Sequence, residues 1–118
     1  MRSRALTSYQ SGLMAEWRAR WFLRLRGFRI LHTRYTTGRH TGRAEIDIIA
    51  RRGNLIIFVE VKYRPDITTA WDAITSNQSQ RLRAAAETYL IRNRWAGDAR
   101  MDVIAVCGRR IHWMKNCL

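Results

Sequence analysis

Acidic side chains are scarce in this 118-residue chain: 9 Asp and Glu stand against 22 Lys and Arg, a formal net charge of +13. Cysteine is scarcer still, at two, and proline occurs once. Cys107 and Cys117 form no Cys-x-x-Cys pair and have no zinc-ligand spacing with His32, His40 or His112. Both read as reduced thiols, which excludes a zinc module or a disulfide scaffold. Long apolar runs are also missing: the longest, Leu55 to Val59, falls far short of the roughly 20 residues a membrane helix needs. The basic start from Met1 to Gln10 has no apolar stretch of a secretory signal, so the cytoplasm is the expected location.

What is present is a core's worth of apolar residues. Hydrophobic residues make up 47% and aromatics 10%, too many for a disordered chain. One domain over 1–118 is expected, burying roughly two-thirds of its unfolded surface. A pI near 11.4 makes polyanions the natural partners. Nucleic acid leads; a membrane surface would call for basic residues gathered on one helix face, and here they run through the whole chain.

Periodicity orders the elements. Ser8 to Arg26 reads as a helix with Leu13, Trp17, Trp21 and Leu25 recurring every fourth position and Met14 and Phe22 widening the stripe. Trp17, Trp21 and Tyr89 are therefore expected in the core rather than as base-stacking platforms. Phe28 to Tyr35, Ala44 to Ala50 and Asn54 to Tyr63 read as strands, Arg64 to Ser79 as a loop with one helical turn near Trp71, and Gln80 to Arg94 as a second helix. Arg100 to Cys107 and Ile111 to Lys115 make a hairpin around Gly108. The order α-β-β-β-α-β-β predicts an α/β domain with a mixed sheet and flanking helices.

Three of the nine acids fall inside two apolar strands: Glu45 and Asp47 in Ala44-Glu-Ile-Asp-Ile-Ile-Ala50, and Glu60 in Leu55-Ile-Ile-Phe-Val-Glu-Val-Lys62. Strand alternation puts Glu45 with Asp47 and Glu60 with Lys62. A two-residue loop at Arg52-Gly53 pairs Arg51 with Asn54 and sets Glu45 opposite Glu60, all on one face. Carboxylates so crowded call for a cation between them, and hard oxygen donors suit Mg²⁺ or Mn²⁺. On this reading Asp47 and Glu60 hold the metal with Glu45 as a further candidate, Lys62 handles water or transition-state charge, and the chemistry is metal-assisted phosphodiester hydrolysis. Glu45 has a second reading, as an ion pair with Arg43 or Arg64. Arg39, Arg43, Arg51, Arg52 and Arg64, at the ends of the two strands, are the expected contacts to a nucleic-acid backbone. His40, between Gly38 and Gly42, reads as a surface-loop residue.

Those two strands carry a resemblance. Ala44-Glu-Ile-Asp-Ile-Ile-Ala50 followed by Phe58-Val-Glu-Val-Lys-Tyr-Arg64 resembles the signature of the YraN-like family of small bacterial proteins, close to Gly-Glu-Ile-Asp-Leu-Ile-Ala and Phe-Val-Glu-Val-Lys-Thr-Arg. Ala15-Glu16, Gly27 to Leu31, Arg81 to Leu90 and Arg100 to Val103 follow the family's order, so the likeness spans nearly the whole chain. It implies the restriction-endonuclease-like fold of the PD-(D/E)XK nucleases, nearest the Holliday junction resolvases. By resemblance, Asp47, Glu60 and Lys62 are catalytic and Glu16 assists the metal; from the residues alone Glu16 reads as a solvated helix carboxylate. Ala44 replaces the usual Gly, and Gln78 stands about where relatives often carry a basic, phosphate-contacting residue. Two functions follow: a Mg²⁺- or Mn²⁺-dependent endonuclease on structured or branched nucleic acid, DNA ahead of RNA, or a nucleic-acid-binding protein of the same fold that does not cut. The resolvase likeness implies a homodimer with paired sites.

Overall fold

The computed structural model describes residues 6–37 and 44–118. Helix α1 (Ser8–Arg24) begins at a reciprocal cap, in which Thr7 Oγ1 accepts the Gln10 N–H and Gln10 Oε1 accepts the Thr7 N–H. Strands β1 (Arg29–Thr36), β2 (Glu45–Arg52), β3 (Leu55–Tyr63), β4 (Asp98–Cys107) and β5 (Arg110–Met114) form one sheet in that order. Neighbours are antiparallel except β3 and β4, which run parallel and are joined by a crossover through α2 (Ile67–Asp72) and α3 (Ser76–Arg92). The expected mixed α/β order holds, with α2 as an addition.

Helices cover both faces of the sheet centre. Ile57 and Val59 of β3 pack with Ala15, Ala19 and Leu23 of α1, whereas Ile56 and Phe58 pack with Leu82, Ala85, Ala86 and Tyr89 of α3. A strand buried on both sides reads as an unbroken apolar run, which is why Leu55 to Val59 does not alternate.

The buried face of α1 is not the expected one. Trp17 and Trp21 are 51% and 46% exposed, and Leu13, Met14 and Leu25 are exposed with them. The helix instead lays Ala15, Glu16, Ala19 and Leu23 on the sheet. At 100° per residue the two stripes, offset by two positions, sit on opposite sides of the helix. Small Ala side chains allow close approach to a sheet whose own Ile and Val residues already fill the space. Tyr89 is buried as expected, edge-on to Phe58, Tyr35 and His32.

The crossover holds more helix than its polar composition suggests. Asp66 Oδ1 accepts the Thr69 N–H and starts α2; Thr75 Oγ1 accepts the Gln78 N–H and starts α3 four residues before the expected Gln80. Short polar side chains that read as loop are acting as helix caps. The β2–β3 turn is Gly53-Asn54, with Arg52 opposite Leu55, one residue later than expected. Gly97 is required on the α3–β4 connection, since a Cβ there would meet the Asn54 carbonyl oxygen at 2.6 Å. Asp102, fully buried in β4, accepts from Arg100, the Trp113 indole and the Asn116 N–H, so it is spent on structure. Both cysteines are free thiols. Among the described residues no helix is long and apolar enough to cross a membrane.

Leu23→Ala should cost about 2–5 kcal/mol of stability in urea unfolding, while Trp21→Ala should cost under about 1.5 kcal/mol. The reverse ranking would restore the tryptophan stripe to the core.

Candidate active site

Strand β2 leaves β3 at the carboxylates. The paired ladder runs from Arg52↔Leu55 to Ile48↔Val59 and ends there. Beyond it, the Val61 N–H donates to Asp47 Oδ2 at 2.8 Å, so a side-chain oxygen replaces a strand carbonyl. Continuing the register sets Asp47, not Glu45, across from Glu60, a shift of two residues from the expected pairing that keeps its parity. Alternation itself fails at this point. Ile46 packs on the α3 side with Leu82, yet Ile48 packs on the α1 side with Leu23. Residues two apart on a regular strand share a face, so β2 is twisted over at Asp47.

On the other side of β2 the register goes from Thr33↔Ile48 to Tyr35↔Ile46. Arg34 stands between those pairs, facing Asp47, with φ of +51° in the left-handed region. A branched or long side chain seldom adopts that backbone, and here it turns Arg34 toward α1. Its Nε and Nη2 donate to Glu16 Oε2 at 3.2 and 2.8 Å.

Four carboxylates therefore meet where α1, β2 and β3 converge. Glu60 is buried; its Oε1 lies 3.1 Å from Lys62 Nζ and accepts from Gln78 Nε2 at 3.2 Å. Glu16, Glu45 and Asp47 bring one oxygen each within 4.8 Å of one another. This triple differs from the expected ligand set by exchanging Glu60 for Glu16. Three hard oxygen donors at that spacing suit a divalent cation of the Mg²⁺ or Mn²⁺ type. Asp47 and Glu60 line two clefts: one of about 510 Å³ with Glu45, Gln78 and Arg81, the other of about 310 Å³ with Tyr9, Glu16, Arg34 and Tyr63.

Burial, then the neighbouring Glu60 charge, pushes the Asp47 carboxyl from its ordinary 3.8 up to about 8, against the pull of the Val61 N–H. Glu60 is also raised, by burial above all, with Lys62 opposing. Two acids held against ionisation in one cleft are a sign of a functional site.

The expected backbone contacts divide. Arg51 Nε donates to the Gly53 carbonyl and its guanidinium lies over Trp95, while Arg52 bonds the Arg26 carbonyl and lies over Phe28. Both sit at the turn end of β2, four and five residues from Asp47, or about 13–17 Å along a strand. They brace the hairpin at the strand end where the sequence placed them. Arg64, half-buried just past β3, stays at the carboxylate end, its Nη1 on the Tyr63 carbonyl. Gln78, expected as a nucleic-acid contact, is turned onto Glu60. Arg39 and Arg43, with His40, lie outside the described residues, and among the described residues Glu45 has no ion pair with Arg64. Arg34 and Arg81 escaped the sequence reading, because neither has a local motif and their partners are remote in the chain.

Protonation of Asp47 has a sign that can be checked. Between about pH 4 and pH 8 the folded chain holds a proton at this carboxyl that the unfolded chain has lost, so stability falls as pH rises through that window. Asp47→Asn should thus raise Tm more at about pH 9 than at about pH 5; an equal gain at both would refute the raised carboxyl.

Comparison with known proteins agrees with the strand motifs. The sequence model of the uncharacterised protein family UPF0102 matches residues 15–106, which include all four carboxylates and Lys62. UPF0102 protein Atu0303 of Agrobacterium fabrum is 44% identical over 102 residues, 85% of this chain and 80% of that protein. A UPF0102 protein of a Chelativorans species is 41% identical, covering 87% and 82%, and one of Bartonella tribocorum is 39% identical, covering 92% and 81%. The chain belongs to the UPF0102, or YraN-like, family.

Proposed function

We propose that this protein is a metal-dependent endonuclease that hydrolyses phosphodiester bonds of structured or branched DNA, on a restriction-endonuclease-like scaffold related to the Holliday junction resolvases. The observation that carries the reading is the meeting of Asp47, Glu60 and Lys62 at the parting of β2 and β3, inside a chain of net charge +13. Four of the nine acids gather where the sheet opens, while Lys and Arg run through the whole chain. A bound Mg²⁺ or Mn²⁺ would polarise the phosphodiester and offset the carboxylate charge.

The chain's own groups do the remainder. Asp47 is oriented by the Val61 N–H, and Glu60 by Gln78 and Lys62, so both present fixed oxygens to the ion. Lys62, only 12% exposed at its side chain, offers donors to an attacking water or to the charge that develops on the phosphate. Arg64 and Arg81 supply cations near the clefts for the backbone of the substrate. Cutting two strands with paired sites makes a cytoplasmic homodimer part of this reading.

The second reading, a nucleic-acid-binding protein of the same fold without turnover, draws on Arg34 and Gln78. These occupy Glu16 and Glu60 with protein hydrogen bonds that an active metal site would have to share.

A cleavage panel of junction, flap, single-stranded and duplex DNA with Mg²⁺ or Mn²⁺ separates the two. The wild type should cut at least one substrate. Asp47→Asn and Glu60→Gln should each lower turnover by about 10³-fold or more while binding is kept. A wild type that binds every substrate and cuts none would establish the binding-only alternative.

A further inference from the structure

The tryptophans that α1 keeps out of the core are free for other work. Trp17 and Trp21 are half exposed and stand one helical turn apart, with Leu13 and Met14 exposed on the same helix. Apolar side chains gathered on one face of a charged surface mark a binding site. Leu13, Met14, Trp17 and Arg20 line a groove of about 610 Å³. Glu16 and Arg34 line it too, and the same two residues line the cleft of about 310 Å³ that holds Asp47 and Glu60. The groove therefore adjoins the carboxylates, and a chain lying in it leads to them.

Charge decides what kind of chain fits. Helix α1 carries Arg18, Arg20 and Arg24 and a single acid, Glu16, which Arg34 already holds. A second copy of the protein would set the same arginines against these, with no free carboxylate on the helix to meet them. A polyanion meets them favourably. Arg24 also lies over the Trp21 ring, 5.1 Å from its centroid, so ring and cation stand together. Aromatic faces beside arginines are the combination that holds single strands, with bases stacked on the rings and phosphates on the cations.

Spacing selects the unpaired form. Four residues of helix advance about 6 Å, whereas neighbouring units of a duplex strand rise only about 3.4 Å. Bases inside a duplex already cover one another and have no face to give. Only a strand whose stack is opened can lay bases on both Trp17 and Trp21.

We propose that the exposed face of α1, with Trp17 and Trp21 as platforms and Arg20 and Arg24 beside them, binds an unpaired stretch of DNA next to the carboxylate cleft. The proposal rests on the nucleic-acid reading above, whose substrate it specifies, and is independent of whether the chain cleaves.

Fluorescence anisotropy of the full chain in EDTA, with a labelled oligothymidylate and with a duplex of equal length, tests it. Wild type should bind the single strand, and binding should quench tryptophan emission. Trp17→Ala and Trp21→Ala should each weaken single-strand binding about 5- to 150-fold and weaken duplex binding less. Trp17→Phe should keep most of the affinity; Trp17→Leu, apolar but without a ring face, should not. Unchanged single-strand affinity in both alanine variants would overturn the proposal, as would an equal loss on strand and duplex. If an alanine variant does not fold, Trp17→Phe against Trp17→Leu decides, since equal affinities would overturn it. A wild-type dimer, or docking on phosphatidylglycerol vesicles, that both alanine variants abolish while single-strand binding persists would also overturn it, by giving the face to a second copy or to lipid. A wild type that binds neither strand nor duplex would sink the nucleic-acid reading itself. The expected losses in a protein that cuts nothing would uphold the proposal and sink only the nuclease reading.

Discussion

The bond from the Val61 N–H to the Asp47 carboxylate is where the sheet opens, and the site depends on it. A buried strand amide left without a partner is costly, so two strands that separate inside a core need a substitute acceptor. Asp47 is that acceptor. The same contact draws an acid into a place where burial and Glu60 both oppose its charge. One interaction thus preserves the hydrogen bonding of β3 and creates the electrostatic tension that a cation would relieve.

The distribution of charge follows from this. The chain spreads its Lys and Arg along its length and gathers four of its nine acids at one fork. Arginines nearby differ in what they are free to do. Arg51 and Arg52 are tied to carbonyls and laid over aromatic rings at the far end of the hairpin, and Arg100 is spent on the buried Asp102. Arg34 is spent on Glu16 at the site itself. Among the described residues Arg81 lines the larger cleft and Arg64 follows β3 at the carboxylate end, neither of them paired with a carboxylate.

Much of the fold was legible because β3 is an unbroken apolar run and the strands around it are bounded by glycine. The paired acids were legible because nothing in an apolar strand asks for them. Parity carried the pairing only as far as Asp47 and Glu60: the turn lies one residue later than expected, which shifts the register by two, and beyond Asp47 the alternation breaks, so Glu45 is placed by the twist of β2. Helix α1 was misread for a clear reason. Its tryptophans dominate any hydrophobic count, yet the sheet accepted the Ala15-Ala19-Leu23 stripe, whose small residues let the helix approach. Asp66 and Thr75 were read as loop because capping residues and loop residues are the same residue types.

What the sequence determined by itself was the order of elements, the burial of β3 and the presence of acids and a lysine on adjacent strands, all of which follow from local periodicity. Only the tertiary structure decided that β2 twists over at Asp47, that Glu16 joins Glu45 and Asp47 while Glu60 turns to Lys62 and Gln78, and that Arg34 caps Glu16. Those contacts join residues from 18 to 31 positions apart, Glu60–Lys62 aside, and lie at a break in alternation that faces a left-handed residue on the neighbouring strand. No local pattern encodes such a break, since it is the packing of α1 and α3 against opposite faces that selects it.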